Sequence, residues 1–161
     1  MKLLGPTRYT RLNEAGALVL LFISVSLMLS LISYHPGDPS FNTATGAQRP
    51  LNLIGYAGSY ISDLILQIFG LAAYALPVMT LVLAWRWLQS REIESSVIKV
   101  CGAGLLLFSV CTAFALFPDA HMFSGHIAVG GVIGLLTADY LLHIGNFTGA
   151  VLFTATCFLV S

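Results

Sequence analysis

Ala15–Ser33 reads AGALVLLFISVSLMLSLIS and is followed at once by YHPGDPSFN, residues 34–42. The first stretch holds 19 residues without a charge, enough for a helix of about 28 Å, the depth of a bilayer's hydrocarbon core. In lipid every backbone N–H and C=O must find its partner inside the segment, as it does in a helix. The apolar core is longer than the ~7–15 residues of a secretory leader and no A-x-A-like site follows, so the stretch reads as a retained anchor. Lys2, Arg8 and Arg11, offset by Glu14, precede it, and after it Lys and Arg are absent until Arg49. That asymmetry puts the amino terminus in the cytoplasm and Tyr34 onward outside.

The composition extends this reading to the whole chain. Of 161 residues, 57% are hydrophobic and 9% charged, against roughly 25% charged in soluble domains. The formal net charge is zero, so no basic surface advertises nucleic acid. Cys101, Cys111 and Cys157 all fall in apolar runs. An odd number in such places argues for small packed thiols and against a disulfide framework.

The sequence predicts an all-α polytopic membrane domain with four spans. Residues 1–14 form a short basic lead, with Asn13 and Glu14 as cap and first-turn acid. The spans run over about residues 15–33, 64–85, 100–117 and 147–161. Residues 34–57 form the first external loop, dense in turn formers at His35-Pro36-Gly37-Asp38-Pro39-Ser40, and read as a connector. In the second span Pro77 predicts a kink, and Trp85-Arg86-Trp87 predicts an interfacial anchor. Arg91 and Lys99 mark the next loop as cytoplasmic, while residues 118–126 hold no Lys or Arg and read as external. Residues 127–144 are expected to form a re-entrant or interfacial helix, broken from the last span at Gly145-Asn146. Both termini then lie inside. Ser161 ends an apolar run with no polar flank, so the chain reads as part of something longer.

The candidate residues are of two kinds. Gly130, Gly134 and Ala138 fall four apart, on one helix face that permits close packing, and Gly145 and Gly149 repeat the spacing. Asp63 and Gln67 share a face, as do Asp139 and His143. Carboxylates at membrane depth are functional candidates by default. Both acids, however, fall near external helix ends that water reaches, which favours a structural or capping role. His121, His126 and Asp119 suggest a metal, but two histidines in a flexible loop do not make three or four fixed ligands. The Asn146-Phe147-Thr148 sequon sits at a helix start and carries no weight. The sequence contains no nucleophile–base pair, metal cluster or GxxxxGK[ST] loop, so no catalytic, cofactor or metal residue is assigned.

Three blocks, taken in order, resemble the amino-terminal membrane domain of the FtsK/SpoIIIE family of DNA translocases. The first is Arg11-Leu12-Asn13-Glu14-Ala15 with Ser33-Tyr34-His35-Pro36-Gly37-Asp38-Pro39-Ser40-Phe41. Phe41 stands where many relatives have Trp, a departure that keeps an aromatic ring. The second runs Asn52-Leu53-Ile54-Gly55-Tyr56-Ala57-Gly58, then Asp63, then Phe69 to Pro77. The third is Gly130-Gly131-Val132-Ile133-Gly134. The resemblance implies a bacterial inner-membrane anchor and septal scaffold, enriched at the division site and in contact with other division proteins and the lipid bilayer. It implies a linker and a hexameric ATPase beyond this chain that pumps chromosomal DNA. ATP, Mg and nucleic acid would belong to that motor, and this chain would contact none of them. The rival reading is a small transporter or channel subunit whose pathway is Asp63, Gln67, Asp139 and His143.

The charge pattern makes the topology testable. Single cysteines at Ser40, Ser95 or Ser124, in a background without native cysteines, are to be labelled in intact cells. An impermeant reagent should modify positions 40 and 124 and spare 95; the reverse pattern inverts the orientation.

Overall fold

The computed structural model describes residues 5–43, 49–90, 96–117 and 120–161. Lys2, Arg91, Ser95, Pro118 and Asp119, used in the sequence reading, lie outside the described residues. Four helical stretches are long and apolar enough to cross a membrane: Thr10–Ile32, Gly55–Leu88, Val97–Ala115 and Gly131–Val160. The fold is all-α, and most large side chains exposed on it are apolar, Phe22, Ile98 and Leu152 among them. A membrane protein presents such a surface because its solvent is hydrocarbon.

Helix α1, Thr10–Ile32, starts five residues ahead of the apolar stretch. Asn13 is therefore inside the helix, and the expected cap is corrected. Its Oδ1 accepts from the Thr7 amide at 2.7 Å and hydroxyl at 2.8 Å, and its Nδ2 donates to the Thr7 carbonyl at 2.9 Å and Ser90 Oγ at 3.1 Å. Fully buried, it spends its hydrogen bonds on the lead and on the end of α3 (Ala75–Leu88). α1 and α3 run antiparallel. Ser24 Oγ donates to the Pro77 carbonyl at 2.7 Å, and Tyr74 Oη to the Leu31 carbonyl at 3.0 Å. Gly16 admits the Trp87 ring, where a Cβ would lie 2.5 Å away, while Trp85 stays exposed.

The second span differs from the expected 64–85. Helix α2, Gly55–Phe69, ends at Gly70, whose φ of 58° and ψ of −134° suit glycine. A 3-10 segment, Gly70–Tyr74, then leads into α3. The break is here and not at Pro77, the third residue of α3. In a first turn the missing proline N–H leaves no helical bond unmade. α2 touches the last turns of α1: Ser30 Oγ donates to the Gly58 carbonyl at 2.7 Å, and Leu66 packs with Leu31. It thus lies across the end of α1, and α3 runs along α1's length.

Helix α4, Ser96–Ala115, is followed by a hairpin of β1 (His121–Met122) and β2 (Ile127–Ala128), paired His121 to Ala128 and Met122 to Ile127. Residues 121–126 of the expected flexible loop thus take a defined structure, and Ile127 is buried with Leu31, Leu66 and Ala73. Helix α5, Gly131–Val160, breaks at Asn146, with φ 54° and ψ 178°. Its two arms fold towards each other: Leu136 and Tyr140 line one cavity with Phe153, which a straight helix would place about 25 Å from Leu136. The second arm runs antiparallel to α4, with Phe147 near Phe117 and Ser161 against Gly102. Cys111 is buried, Cys157 is half-buried and Cys101 is exposed, so packing describes the first better than the last.

The first arm of α5 presses on α4 through Gly134, where a Cβ would collide with the Cys111 carbonyl. Gly134→Ala should cost about 1–3 kcal/mol by forcing the helices apart. Gly104→Ala, with nothing within 4 Å, should stay within about 0.5 kcal/mol. Thermal melting of the two variants in detergent makes the comparison.

Candidate functional site

The densest polar structure lies at the end of the bundle where α1 finishes. Asp38 is buried in the turn after α1, because its carboxylate replaces water for two amides: Oδ1 accepts from Leu51 N at 2.8 Å and Oδ2 from Asn52 N at 2.9 Å. Asn52 carries the network inward. Its Nδ2 donates to the Ser30 carbonyl at 2.8 Å, and its Oδ1 accepts from Ile54 N at 3.0 Å just ahead of α2. Ser62 Oγ joins Ser30 Oγ on the Gly58 carbonyl, each at 2.7 Å. Gly58 must be glycine, since a Cβ there would overlap the Asn52 side chain.

A second network sits beside the first, around Asp63. Tyr34 Oη donates to Oδ1 at 3.0 Å, and Gln67 Nε2 to Oδ2 at 3.0 Å. Asn42 Nδ2 reaches Gln67 Oε1 at 2.5 Å and Asp63 Oδ2 at 3.4 Å. Asp63 is 3% exposed, which corrects the expectation that water reaches it. A buried carboxylate is tolerated when donors surround it, and here the loop supplies them. Burial, then the neighbouring Asp63 charge, pushes the Tyr34 phenol above its usual range, so it stays protonated and donates. The Tyr34 ring packs edge-on to Phe123 of the second loop, with centroids 4.7 Å apart. Both loops therefore close over this end as one cap.

Asp139 and His143 are not part of it. Both are exposed on the first arm of α5, and among the described residues no hydrogen bond joins either to Asp63 or Gln67. The four residues of a would-be pathway thus divide into a closed pair and a bare pair. Gly130 lies against Ala115 and Cys111, Ala138 is buried with Ala115 and Leu116, and Gly149 has open space around it. At Gly145 a Cβ would make ordinary contact with the Ala150 amide. Among the described residues no three His, Cys, Asp or Glu side chains come together; Asp119 lies outside them.

Residues 10–161 match the 4TM region of DNA translocase FtsK/SpoIIIE. The chain belongs to the FtsK/SpoIIIE family. It is 30% identical over 128 residues to the DNA translocase FtsK of Rickettsia typhi, an overlap of 80% of this chain and 17% of that one. It is 32% identical over 134 residues to that of Rickettsia bellii, 83% of this chain and 17% of that one. With that of Vibrio vulnificus it shares 26% over 151 residues, 89% of this chain and 15% of the relative. The chain thus spans about one-sixth of the length of these FtsK relatives. No solved structure matches it.

Sequence reasoning found Asp63 and Gln67 but missed Asp38, Asn52 and Ser30 as a unit. The available signal was a run of polar residues with turn chemistry, His35 to Ser40 and then Asn52, bracketing the entry to a helix. Asp38→Ala should release two loop amides and lower stability by about 2 kcal/mol. His35→Ala, at an exposed side chain whose Nδ1 accepts from the nearby Gly37 amide at 3.1 Å, should change it by less than about 0.5 kcal/mol. Equal unfolding midpoints in detergent would contradict the network.

Proposed function

We propose that this chain is the membrane anchor and septal scaffold of a bacterial cell-division DNA translocase that couples division to chromosome segregation. The observation that carries the reading is the family match over residues 10–161 on a chain with four apolar spans. Arg8 precedes α1, Arg11 lies in its first turn, Arg86 in the last turn of α3 and Lys99 in the first of α4. That grouping supports a cytoplasmic end with both termini inside. The capped end then faces outward, and residues 131–145 form a re-entrant arm in the outer leaflet. Other division proteins dock on the outward cap. The chain itself performs no catalysis; the motor beyond it binds ATP and Mg, grips DNA and assembles as a hexamer. The enclosed hydrogen bonding of Asp63 supports a structural carboxylate over one that conducts ions.

Expression of the chain fused to a fluorescent protein, in cells depleted of the full-length parent, tests this. Fluorescence should concentrate at the septum and division should be partly rescued, also for Asp139→Asn. An even membrane distribution with no rescue would sink the scaffold reading. A proton flux in liposomes that Asp63→Asn or Asp139→Asn abolishes would replace it with the transporter.

A further inference from the structure

Gly55–Gly70 and Gly131–Asn146 carry one pattern. Gly55, Gly58, Asp63, Leu66 and Ile68 of the first stretch meet Gly131, Gly134, Asp139, Leu142 and Ile144 of the second at a constant offset. The backbone repeats with the sequence. Each helix starts at a glycine of positive φ, 70° at Gly55 and 62° at Gly131, and each stops at a residue of positive φ, 58° at Gly70 and 54° at Asn146. Each lies against the end of the preceding span, Gly58 beside Ser30 and Gly134 beside Cys111. Each then leads into a helix antiparallel to that span. The domain is two copies of one unit, α1–α2–α3 and α4–α5.

The units join head to tail. Val129 of the second accepts the Leu71 amide of the first at 2.8 Å. Gly131 and Gly70 touch backbone to backbone, and Ile127 is buried with Leu66 and Ala73. The same offset makes Leu51, Leu53 and Gly55 the counterparts of Ile127, Val129 and Gly131. On the other side it makes Leu142, Asn146, Phe147 and Gly149 the counterparts of Leu66, Gly70, Leu71 and Ala73. Both counterpart sets are more exposed than the joined ones. Ile127 and Leu66 are 3% and 0% exposed, but Leu51 and Leu142 are 68% and 39%. Leu53 is 70% and Phe147 54% exposed, and neither Gly55 nor Gly149 has anything within 4 Å of an added Cβ.

We propose that a second copy of this chain seats its Leu51–Gly55 turn on the Leu142–Gly149 stretch, bringing together between copies the counterparts of the apolar residues that join the two units within one. The occupant is a second copy because the chain itself carries counterparts of both joined surfaces; Asn146 in the place of Gly70 sets the two backbones further apart than at the joint within the chain, so side chains such as Leu53 and Phe147 make the contact. Asp139 lies one turn before this stretch and His143 within it, and a carboxylate facing lipid is costly unless a partner covers it. The contact is heterologous, so its repetition adds copies head to tail, and it makes a ring where the rotation between copies closes. The inference deepens the homo-oligomer in the proposed reading and depends on the multi-pass membrane placement.

Crosslinking tests it. Cysteines at Leu53 and Phe147 are introduced together, with Cys111→Ser and with Cys101 and Cys157 replaced by Ala. Both positions are exposed, so the folded monomer should tolerate them. Mild oxidation in native membranes should give a ladder of dimers and larger species for the pair. Each single variant, and a control pairing Phe147 with lipid-facing Phe22, should give less than a tenth of that yield. A pair that stays monomeric, shifts as an intrachain disulfide, or links no better than the control overturns the proposal. Septal position is read separately, so failure here leaves the anchor reading standing, and the converse.

Discussion

The Leu71 amide donates to the Val129 carbonyl at 2.8 Å across the break after α2, and the arrangement of the bundle depends on that bond. Helices in lipid break at a cost of several kcal/mol for each backbone group left without a partner. At Gly70 the break is answered by the other half of the chain. Val129 takes the freed amide, and the Phe69 carbonyl accepts from Cys111 Sγ at 3.3 Å. A side chain at Gly70 or Gly131 would prevent the approach, because each would place a Cβ on the backbone of the other's segment. Glycine at both points is thus a condition of the contact, and Cys111 serves it as a buried weak donor.

From that joint the rest follows. Because α2 turns away at Gly70, α3 alone runs back along α1, and their packing is fixed at three levels by Asn13, Ser24 and Tyr74. Because α2 lies across the end of α1, its amino end falls beneath the first loop, where Asn52 binds both the Ser30 carbonyl and the Ile54 amide. The long loop is held down from inside. Its Tyr34 then meets Phe123, so the β1–β2 hairpin rests on the first loop. Backbone satisfaction at one break, loop order at the cap and the seam between halves are one connected structure.

Four apolar spans were legible in the sequence because the bilayer sets both their length and their composition. The family resemblance was legible because loop chemistry is as constrained as the spans. The position of the break in the second span was not. Pro77 is the stronger breaker in isolation, but a first-turn proline costs a helix nothing, and Gly70 acts only with Val129 beside it. Asn13 was read as a cap because local rules rank it so; its real partners, Thr7 and Ser90, include one far along the chain. The repeat was hidden for a similar reason. Apart from Gly-x-x-Gly-x-x-x-x-Asp at residues 55–63 and again at 131–139, apolar residues substitute freely at matching sites, and the likeness lives in backbone angles.

Asp63 and Asp139 occupy equivalent places in the two units, and their difference says what each is for. The loop ahead of α2 is long enough to bring Tyr34 and Asn42 back over Asp63, which with Gln67 gives its carboxylate three neutral donors. The hairpin ahead of α5 spends its residues on β1, β2 and on burying Ile127, so among the described residues Asp139 receives no such cover. A carboxylate enclosed by fixed donors is held in one place, because moving it would break the contacts that let it be buried. A carboxylate left exposed on an apolar helix is instead unfinished business for the monomer, because lipid solvates it poorly. The same residue type at the same place in one repeated unit therefore serves as an internal strut in the first half and marks, in the second, the face where covering groups must come from outside the chain.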